Sequence, residues 1–507
     1  MDTNEKNIVA IDLGSSKIAL TVARVSGNDA QIIYYKETPS AGIRYSSVFN
    51  VTHVANPLAQ AISQAEEDLG IKITQAVVGM PKFPISQENS NATIDNRGED
   101  TDITAEDVEK LKAFALSLYP LEDESKEAIF GAVAQSFSNG EEFQIIENDI
   151  IGMASDILEG NFKVFIGKKN DLRKIDSVMT KCEIAAMRKY FTAESTAKAV
   201  LTDSEMENGV ALIDFGGGCT SVSIYYGNVM RHYASIPFGG RNITQDIKSE
   251  CQISETLAEN IKKAFGACMP EKLQNLSDKI IHIKSNSAEP DKQLPVKYLS
   301  EIISARVEEI MMAVLYEIEQ SGHADMLRSG LVITGGCAKI ANLSNFVYDI
   351  SGFKVRIGYP KKVFSCLDCE RITEPMASTS IGLLISALAD QTVNCTIENP
   401  HARIIKEVET ETGKEYTIDL DSSVEDVEES QEVMGVGEAG TPENPQGTIW
   451  PDQEIEKIDP PKKQKKEKGP GLMKIAFTKF ESFTQKIKEG FLDLYKDIAE
   501  DEPNEKA

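Results

Sequence analysis

The alternation of apolar and polar residues in the middle of the chain predicts a β-hairpin. An apolar run from Val210 to Ile213 is typical of a buried strand, and it ends on a single carboxylate, Asp214. Three glycines follow, after which Val222 and Ile224 alternate with small polar residues, as in a half-buried strand. The turn between the strands therefore presents a carboxylate and backbone N–H groups, and only glycine lets a backbone approach a bulky anion closely.

The same pattern occurs near the N-terminus. An apolar strand that ends at Asp12 is followed by Gly14, two serines and an alternating strand that begins at Lys17. The two copies lie about 200 residues apart, which indicates a duplication of domain size and not a solenoid repeat. One glycine hairpin alone is often only a tight turn. Two that face each other across a cleft would hold the phosphates of a nucleotide, while their carboxylates would hold a hydrated Mg²⁺ ion.

Two further glycine pairs lie in the second half of the chain. Gly239 and Gly240 form a turn that opens a helix, and the next helix places Glu259 on one face with Lys262 or Lys263. That charge pair is either an ordinary surface ion pair or a polar contact to a ribose or adenine. After a long amphipathic helix, a strand, the pair Gly335–Gly336 and another helix follow, and such a turn permits flat approach of a base or sugar.

The repeated hairpin and a change in character after residue 84 indicate two halves and an insert. Residues 1–84 and 166–201 form the first half, with a helix from about Val54 to Leu69 and one helical run on each side of a break near Lys181. Residues 85–165 read as an inserted subdomain in which Thr104 caps a helix. Strands are expected there at 132–137, 144–146 and 162–166. Residues 202–400 form the second half, which contains a smaller subdomain at about 245–320.

The composition changes near residue 401. Charged residues, Gly, Pro and Ser dominate residues 401–470, which predicts a disordered acidic linker that ends in a lysine cluster. Residues 471–500 again have helical periodicity, with an apolar stripe flanked by lysines. Docking on the globular body and a helical dimer seam are both possible, but phenylalanine suits a lipid interface better than a two-stranded seam. The residues expected to bind anionic lipid are Met473, Lys474, Phe477, Lys479, Phe480, Phe483, Lys486 and Ile487.

Charge and cysteine content exclude several classes. A net charge of -27 argues against binding to nucleic acid, because the phosphate backbone would be repelled. The chain has 8 cysteines and no secretory signal, so we expect reduced thiols in the cytoplasm. Cys366 and Cys369 form a single CxxC motif without a partner pair, which makes zinc improbable. No apolar run is long enough to span a bilayer.

The two acid-bearing hairpins and the later glycine turn resemble the phosphate and adenosine motifs of the actin, Hsp70 and sugar-kinase superfamily. Within it, the chain is similar to the bacterial cell-division family FtsA over about residues 7–390. The stretches that carry this closer resemblance begin at Ile103, Ile151, Ala199, Gly209 and Gly239. The resemblance implies an α/β fold of duplicated actin-like (ribonuclease H-like) ATPase halves around a nucleotide cleft, with an inserted α+β (SHS2-like) subdomain.

The resemblance also implies a function and a set of site residues. It implies an ATP-binding, polymerising protein that binds the C-terminal peptide of FtsZ, recruits later division proteins and attaches peripherally to the cytoplasmic face of the membrane at the septum. Asp12 and Asp214 would hold Mg²⁺ through water. The residues implied in ATP binding are Asp12, Gly14, Ser15, Ser16, Lys17, Asp214, Gly216, Gly217, Gly218, Thr220, Gly239, Gly240, Glu259, Lys262, Gly335 and Gly336.

Catalysis is the point at which the chain departs from active relatives. Readily hydrolysing actin-like ATPases place an acid or amide where Thr192 falls in this chain, with Glu194 two residues later. Thr192 and Glu194 are therefore only weak candidates, and we expect tight nucleotide binding with slow or negligible hydrolysis. Two other classes of protein share this fold. A small-molecule kinase needs a general base that no stretch obviously supplies, and an Hsp70-like chaperone needs a β-rich domain after residue 390.

Overall fold

The computed structural model describes residues 5–27, 29–95, 102–273, 278–283, 292–366, 370–391 and 393–398. The predicted linker at 401–470 and the predicted membrane helix at 471–500 lie outside these residues. Within the described ranges, no helix is both long enough and apolar enough to cross a membrane.

The secondary structure alternates strands and helices along the chain. The strands are β1 (Lys6–Leu13), β2 (Lys17–Ser26), β3 (Asp29–Pro39), β4 (Ile43–Arg44), β5 (Ser47–Val48), β6 (Ile71–Ile73), β7 (Gln75–Gly79), β8 (Ile85–Ile94), β9 (Glu127–Ser138), β10 (Leu158–Lys168), β11 (Ala185–Tyr190), β12 (Val210–Phe215), β13 (Thr220–Tyr226), β14 (Val229–Ile236), β15 (Ile280–Ile283), β16 (Lys292–Pro295), β17 (Leu331–Thr334), β18 (Val355–Ile357), β19 (Ser365–Cys366) and β20 (Thr396–Glu398). The α-helices are α1 (Val51–Leu69), α2 (Ala105–Leu118), α3 (Glu147–Ile150), α4 (Lys169–Lys181), α5 (Thr192–Val200), α6 (Asp203–Asn208), α7 (Gly240–Cys251), α8 (Glu255–Phe265), α9 (Val296–Gln320), α10 (Leu343–Ser351) and α11 (Ser378–Ala389).

Two sheets with the same topology form the body. The first has the strand order β11-β7-β1-β2-β3-β19, and the second has the order β14-β13-β12-β17-β18. In each, an antiparallel three-strand meander is extended beside its first strand by two parallel strands. Ala10 pairs with Val77 in one sheet, and Ala211 pairs with Leu331 in the other. The predicted duplication into two α/β halves is confirmed by this correspondence.

Helices pack against the sheets through their apolar faces. Helix α1 places Val54, Leu58 and Ile62 in the core of the first half. It begins three residues earlier than predicted, because the Asn50 side chain accepts a bond from the His53 N–H at 3.1 Å and so caps the helix. It ends at Gly70, where φ is 63°.

The insert is a three-stranded antiparallel sheet, β8-β10-β9, with α2 packed on it. Thr104 forms the predicted cap, since its side chain and that of Asp107 bond reciprocally to backbone N–H groups. The expected strand at 144–146 is wrong. It makes a single bridge, between Phe137 and Ile145, because Gln144 has a φ of 61° and breaks the extended conformation.

A strand was missed between the two predicted helical runs after residue 172. Helix α4 ends at Lys181, and Ala185–Tyr190 then forms β11, which pairs in parallel with β7. Its short sequence has no β-branched residue and lies between two segments with helical periodicity. Its local pattern therefore does not indicate a strand. Parallel pairing with β7 places it at the edge of the first sheet.

Candidate functional site

The turns of the two hairpins meet where the two halves contact each other. Strands β1 and β2 pair as far as Leu13 and Ile18, while β12 and β13 pair as far as Phe215 and Thr220, so each turn is short and tightly defined. A Cβ built on Gly217 would lie 1.8 Å from Ser16 Oγ. Such a contact requires glycine, because no other residue permits the two turns to approach this closely.

The second turn touches the first at a neighbouring position as well. A Cβ on Gly218 would lie 2.5 Å from Ser15 Oγ and 2.6 Å from Ser15 Cβ. Ser15 is buried, and its hydroxyl accepts a bond from the Ser46 N–H at 2.9 Å. The predicted phosphate turns therefore lie opposite each other in one crevice.

The two carboxylates lie directly behind these turns. Burial raises the pKa of Asp12, and the neighbouring Asp214 raises it further, whereas Lys82 and Lys17 oppose this increase. Asp214 is almost fully buried and accepts a bond from Lys82 Nζ. Asp12 and Asp214 are thus electrostatic neighbours that share one lysine, although they come from different halves.

Lys82 was not predicted from the sequence. It follows β7, which runs parallel to β1, so the carboxyl ends of these strands lie at the same edge of the sheet. Burial alone would lower the pKa of Lys82, but the carboxylates of Asp214 and Asp12 raise it above its ordinary value. The signal in the sequence is a lysine between two prolines, directly after a buried strand that neighbours β1.

Arg241 is a second residue that sequence reasoning did not assign to the site. Its backbone N–H donates to the Gly217 carbonyl at 2.7 Å, and its guanidinium donates to the Ser15 carbonyl at 3.0 Å. Gly240 N–H likewise donates to the Gly216 carbonyl at 3.0 Å, and a Cβ on Gly239 would lie 2.6 Å from that oxygen. The turn at 239–240 therefore supports the second phosphate turn, and Arg241 ties it to the first.

The charge pair on α8 forms as expected, and it also contacts α7, which begins at the turn at 239–240. Lys262 Nζ lies 2.6 Å from Glu259 Oε2, and it donates to the Gly240 carbonyl at 2.8 Å and to Thr244 Oγ1 at 2.7 Å. Burial alone would raise the pKa of Glu259, but Lys262 and the Thr244 hydroxyl lower it below its ordinary value. The pair is not an ordinary surface ion pair, because only 10% of the Lys262 side chain is exposed.

The third glycine turn adjoins the second carboxylate. Gly335 has a φ of 89°, and a Cβ there would lie 2.6 Å from Asp214 Oδ1. The helix expected directly after Gly336 is only a short 3-10 turn, and α10 begins at Leu343. Asn342, with a φ of 60°, separates the two helical pieces.

Two predicted phosphate ligands have their side chains bonded to protein groups. Lys17 Nζ forms an ion pair with Glu37 and donates to the Tyr35 hydroxyl at 3.1 Å. Thr220 is fully buried, and its hydroxyl donates to the Phe238 carbonyl at 2.8 Å. Their proposed contacts with phosphate remain predictions.

The weak catalytic candidates lie at the start of α5. The Thr192 hydroxyl donates to the Met80 carbonyl, so its hydrogen is already engaged in a bond to the backbone. Burial raises the pKa of Glu194, and the charges that oppose this increase are Lys198 and Lys112. Lys198 lies on α5 and Lys112 on α2 of the insert.

Comparison with known proteins identifies the fold. The structure titled PilM-PilN type IV pilus biogenesis complex matches 75% of this chain and 98% of its own chain, with a TM-score of 0.53 and 12% sequence identity. Together with the duplicated sheets, this similarity shows that the chain has an actin-like fold.

Comparison of sequences then shows similarity to one group of proteins. The family model described as cell division protein FtsA matches residues 211–382. FtsA of Neisseria meningitidis serogroup B is 28% identical over 393 residues, which cover 76% of this chain and 91% of that protein. FtsA of Escherichia coli K12 is 26% identical over 390 residues, which cover 75% and 90%. The chain is thus similar to FtsA cell-division proteins over about three quarters of its length.

Proposed function

We propose that this chain is an ATP- and Mg²⁺-binding protein that polymerises, anchors the FtsZ ring to the cytoplasmic face of the membrane at the division septum, and recruits later division proteins. The observation that carries the proposal is the meeting of two acid-bearing glycine turns, one from each half, around a single cleft. Similarity to FtsA proteins supports the division role.

The residues in the cleft fit a magnesium nucleotide. Asp12 and Asp214 supply the carboxylate oxygens that Mg²⁺ prefers, and the bound ion would supply positive charge between the phosphates. The backbone N–H groups of the turn at Gly14–Ser16 and of Gly217 and Gly218 would face the phosphate oxygens, whereas the Gly216 N–H is bonded within its own turn. The nucleoside would lie between Gly335 and the α8 charge pair.

Slow hydrolysis follows from what occupies the catalytic candidates. A general base must lie within hydrogen-bond reach of the attacking water. The Thr192 hydroxyl is instead bonded to the Met80 carbonyl, so it is not free to orient that water. We therefore expect the bound nucleotide to act as a conformational ligand, with weak turnover or none.

The partner assignments rest on the family and on the sequence pattern. The second half would bind the C-terminal peptide of FtsZ. The insert would serve self-association and the recruitment of later division proteins. The stripe from Met473 to Ile487, which lies outside the described residues, would attach the protein to anionic lipid.

A matched pair of glycine substitutions tests the nucleotide site. We expect Gly218→Ala to weaken Mg·ATP binding about tenfold or more, because its Cβ would collide with Ser15 and separate the two turns. Gly131→Ala is the control, since its nearest neighbour would be Phe191 Cβ at an ordinary 3.6 Å. Isothermal titration calorimetry on the full chain measures both affinities.

Three outcomes would contradict the proposal. Absence of Mg·ATP binding by the wild-type chain would remove the nucleotide from the function altogether. Equal affinity in Gly218→Ala and the wild-type chain would remove the turns from the binding site. Transfer of phosphate to an added small-molecule hydroxyl would favour the kinase class instead.

A further inference from the structure

Each lysine near the cleft has a carboxylate partner, but one of these partners is also a proposed metal ligand. Lys17 is paired with Glu37, and Lys262 is paired with Glu259. Lys82 is paired with Asp214, one of the two carboxylates that would hold Mg²⁺. Of these three lysines, Lys82 is therefore the one that would lose its carboxylate partner when Mg²⁺ binds.

Displaced Lys82 would need a new partner. Only 16% of its side chain and 9% of the Asp214 side chain are exposed, so water solvates neither group well. A buried ammonium left without an anion is strongly unfavourable. The Thr379 hydroxyl, 3.4 Å from Lys82 Nζ, is a neutral acceptor and cannot replace a carboxylate. The anion that enters together with the metal is the phosphate chain of the nucleotide.

The backbone of Lys82 is fixed while its ammonium has two possible positions. Its N–H donates to Ser46 Oγ at 3.1 Å, from the loop between β4 and β5 of the first half. Its carbonyl accepts a bond from the Tyr233 hydroxyl at 2.7 Å, from β14 of the second half. The lysine is thus anchored by both halves, and reorientation is confined to the side chain.

The two oxygens of the Asp214 carboxylate face different neighbours. Its Oδ1 atom faces Gly335, the turn assigned to the nucleoside, at 2.6 Å from a Cβ built there. Its Oδ2 atom accepts the bond from Lys82. The nucleoside turn and the lysine therefore approach different oxygens of one carboxylate. A nucleotide that extends from Gly335 past Asp214 would bring the distal end of its phosphate chain to Lys82.

We propose that Lys82 binds the terminal phosphate of a nucleoside triphosphate and makes the site prefer the triphosphate to the diphosphate. In the nucleotide-free protein the same ammonium neutralises Asp214 and occupies the place of the metal. This inference rests on the proposed Mg·ATP site. It adds a specificity-determining residue that lies in neither hairpin.

The test compares Mg·ATP with Mg·ADP in Lys82→Met. A charge-assisted contact is worth about 1.5–3 kcal/mol, so we expect the ratio of ATP to ADP affinity to fall about 10-fold or more. Lys189→Met is the matched control. Lys189, on β11, forms an ion pair with Asp176 of α4 at 2.6 Å, and 21% of its side chain is exposed. Its affinity ratio should equal that of the wild-type chain.

A second measurement does not depend on the variant folding. In wild-type protein with EDTA, Lys82 stays on Asp214, so the preference for ATP over ADP should fall about 10-fold or more relative to that in Mg²⁺. An unchanged ratio in folded Lys82→Met, or an equal preference with and without Mg²⁺, would overturn the inference while leaving the nucleotide site in place. A wild-type chain that binds neither nucleotide would overturn both.

Discussion

Replacing His232 should change how the stability of this protein depends on pH. His232 lies on β14, where the second half faces the insert, and its Nδ1 atom is 2.7 Å from the Gln87 amide nitrogen. The Gln87 amide oxygen accepts a bond from the Tyr233 N–H at 3.0 Å, which fixes the amide so that its nitrogen donates to the imidazole. An imidazole that accepts at Nδ1 must be neutral.

The surroundings also favour the neutral form. Burial, the cation of Lys163 and the neighbouring His323 lower the pKa of His232 to about 4. Glu317 on α9 faces the other nitrogen, but its Oε2 atom is 3.9 Å away, beyond hydrogen-bond distance. The folded protein therefore resists protonation of His232, whereas the unfolded chain accepts a proton near pH 6.5.

The sign of the effect follows from this difference. Between pH 6.5 and about 4 the unfolded state binds more protons at His232, so the free energy of unfolding falls as the pH falls. The lowered pKa corresponds to about 3 kcal/mol in total, of which about 2 kcal/mol is lost by pH 5. Burial lowers the pKa of His323, which acts in the same direction, and raises the pKa of Glu317, which acts in the opposite direction.

The contribution of His232 to the pH dependence is obtained by comparing the wild-type chain with a His232 variant. Urea unfolding of the wild-type chain and His232→Gln is measured at pH 7.5 and pH 5, and the wild-type chain should lose about 2 kcal/mol more than the variant. His53→Gln on α1 is the control, because His53 is exposed and contacts neither the insert nor β14. A difference between His232→Gln and wild type that stays constant over this range would refute the reasoning.

Three further predictions concern packing, capping and the membrane. Gly382→Ala should destabilise the chain by about 1–3 kcal/mol in thermal unfolding, since its Cβ would lie 2.0 Å from the Ser195 carbonyl oxygen; unchanged stability would contradict this packing. Thr104→Ala should cost about 1 kcal/mol in urea unfolding, while Thr104→Asn should restore most of it, and a neutral alanine variant would show that the cap is not important. In the full chain, Phe480→Glu with Phe483→Glu should abolish co-sedimentation with anionic vesicles, and persistent binding would exclude this stripe as the membrane element.

The hairpins and their carboxylates could be predicted because each is a local pattern. A strand of about six residues, an acidic residue and a glycine turn are all contiguous, so Asp12, Asp214 and the glycines could be assigned before their positions were known. That the halves share one topology also followed from the repeated pattern. The capped start of α2 at Thr104 is local in the same sense.

The features that were missed depend on contacts between distant parts of the chain. Lys82 reaches Asp214 across 132 residues, and Arg241 reaches Ser15 across 226 residues. Strand β11 acquires its extended form from pairing with β7, because its own residues have little preference for it. Only the arrangement of the two sheets brings these elements together.

The way the insert holds β14 has a consequence for assembly. Gln135 and Lys163, on two strands of the insert, donate to the Met230 and Arg231 carbonyls at 2.9 and 2.6 Å, and Gln87 accepts from the Tyr233 N–H. These bonds occupy backbone groups that an open sheet margin would offer to a strand of another molecule. Copies of this protein therefore cannot grow a fibre by continuing the second sheet at β14. A filament of this protein would therefore have to be joined at surfaces other than the β14 margin of the second sheet.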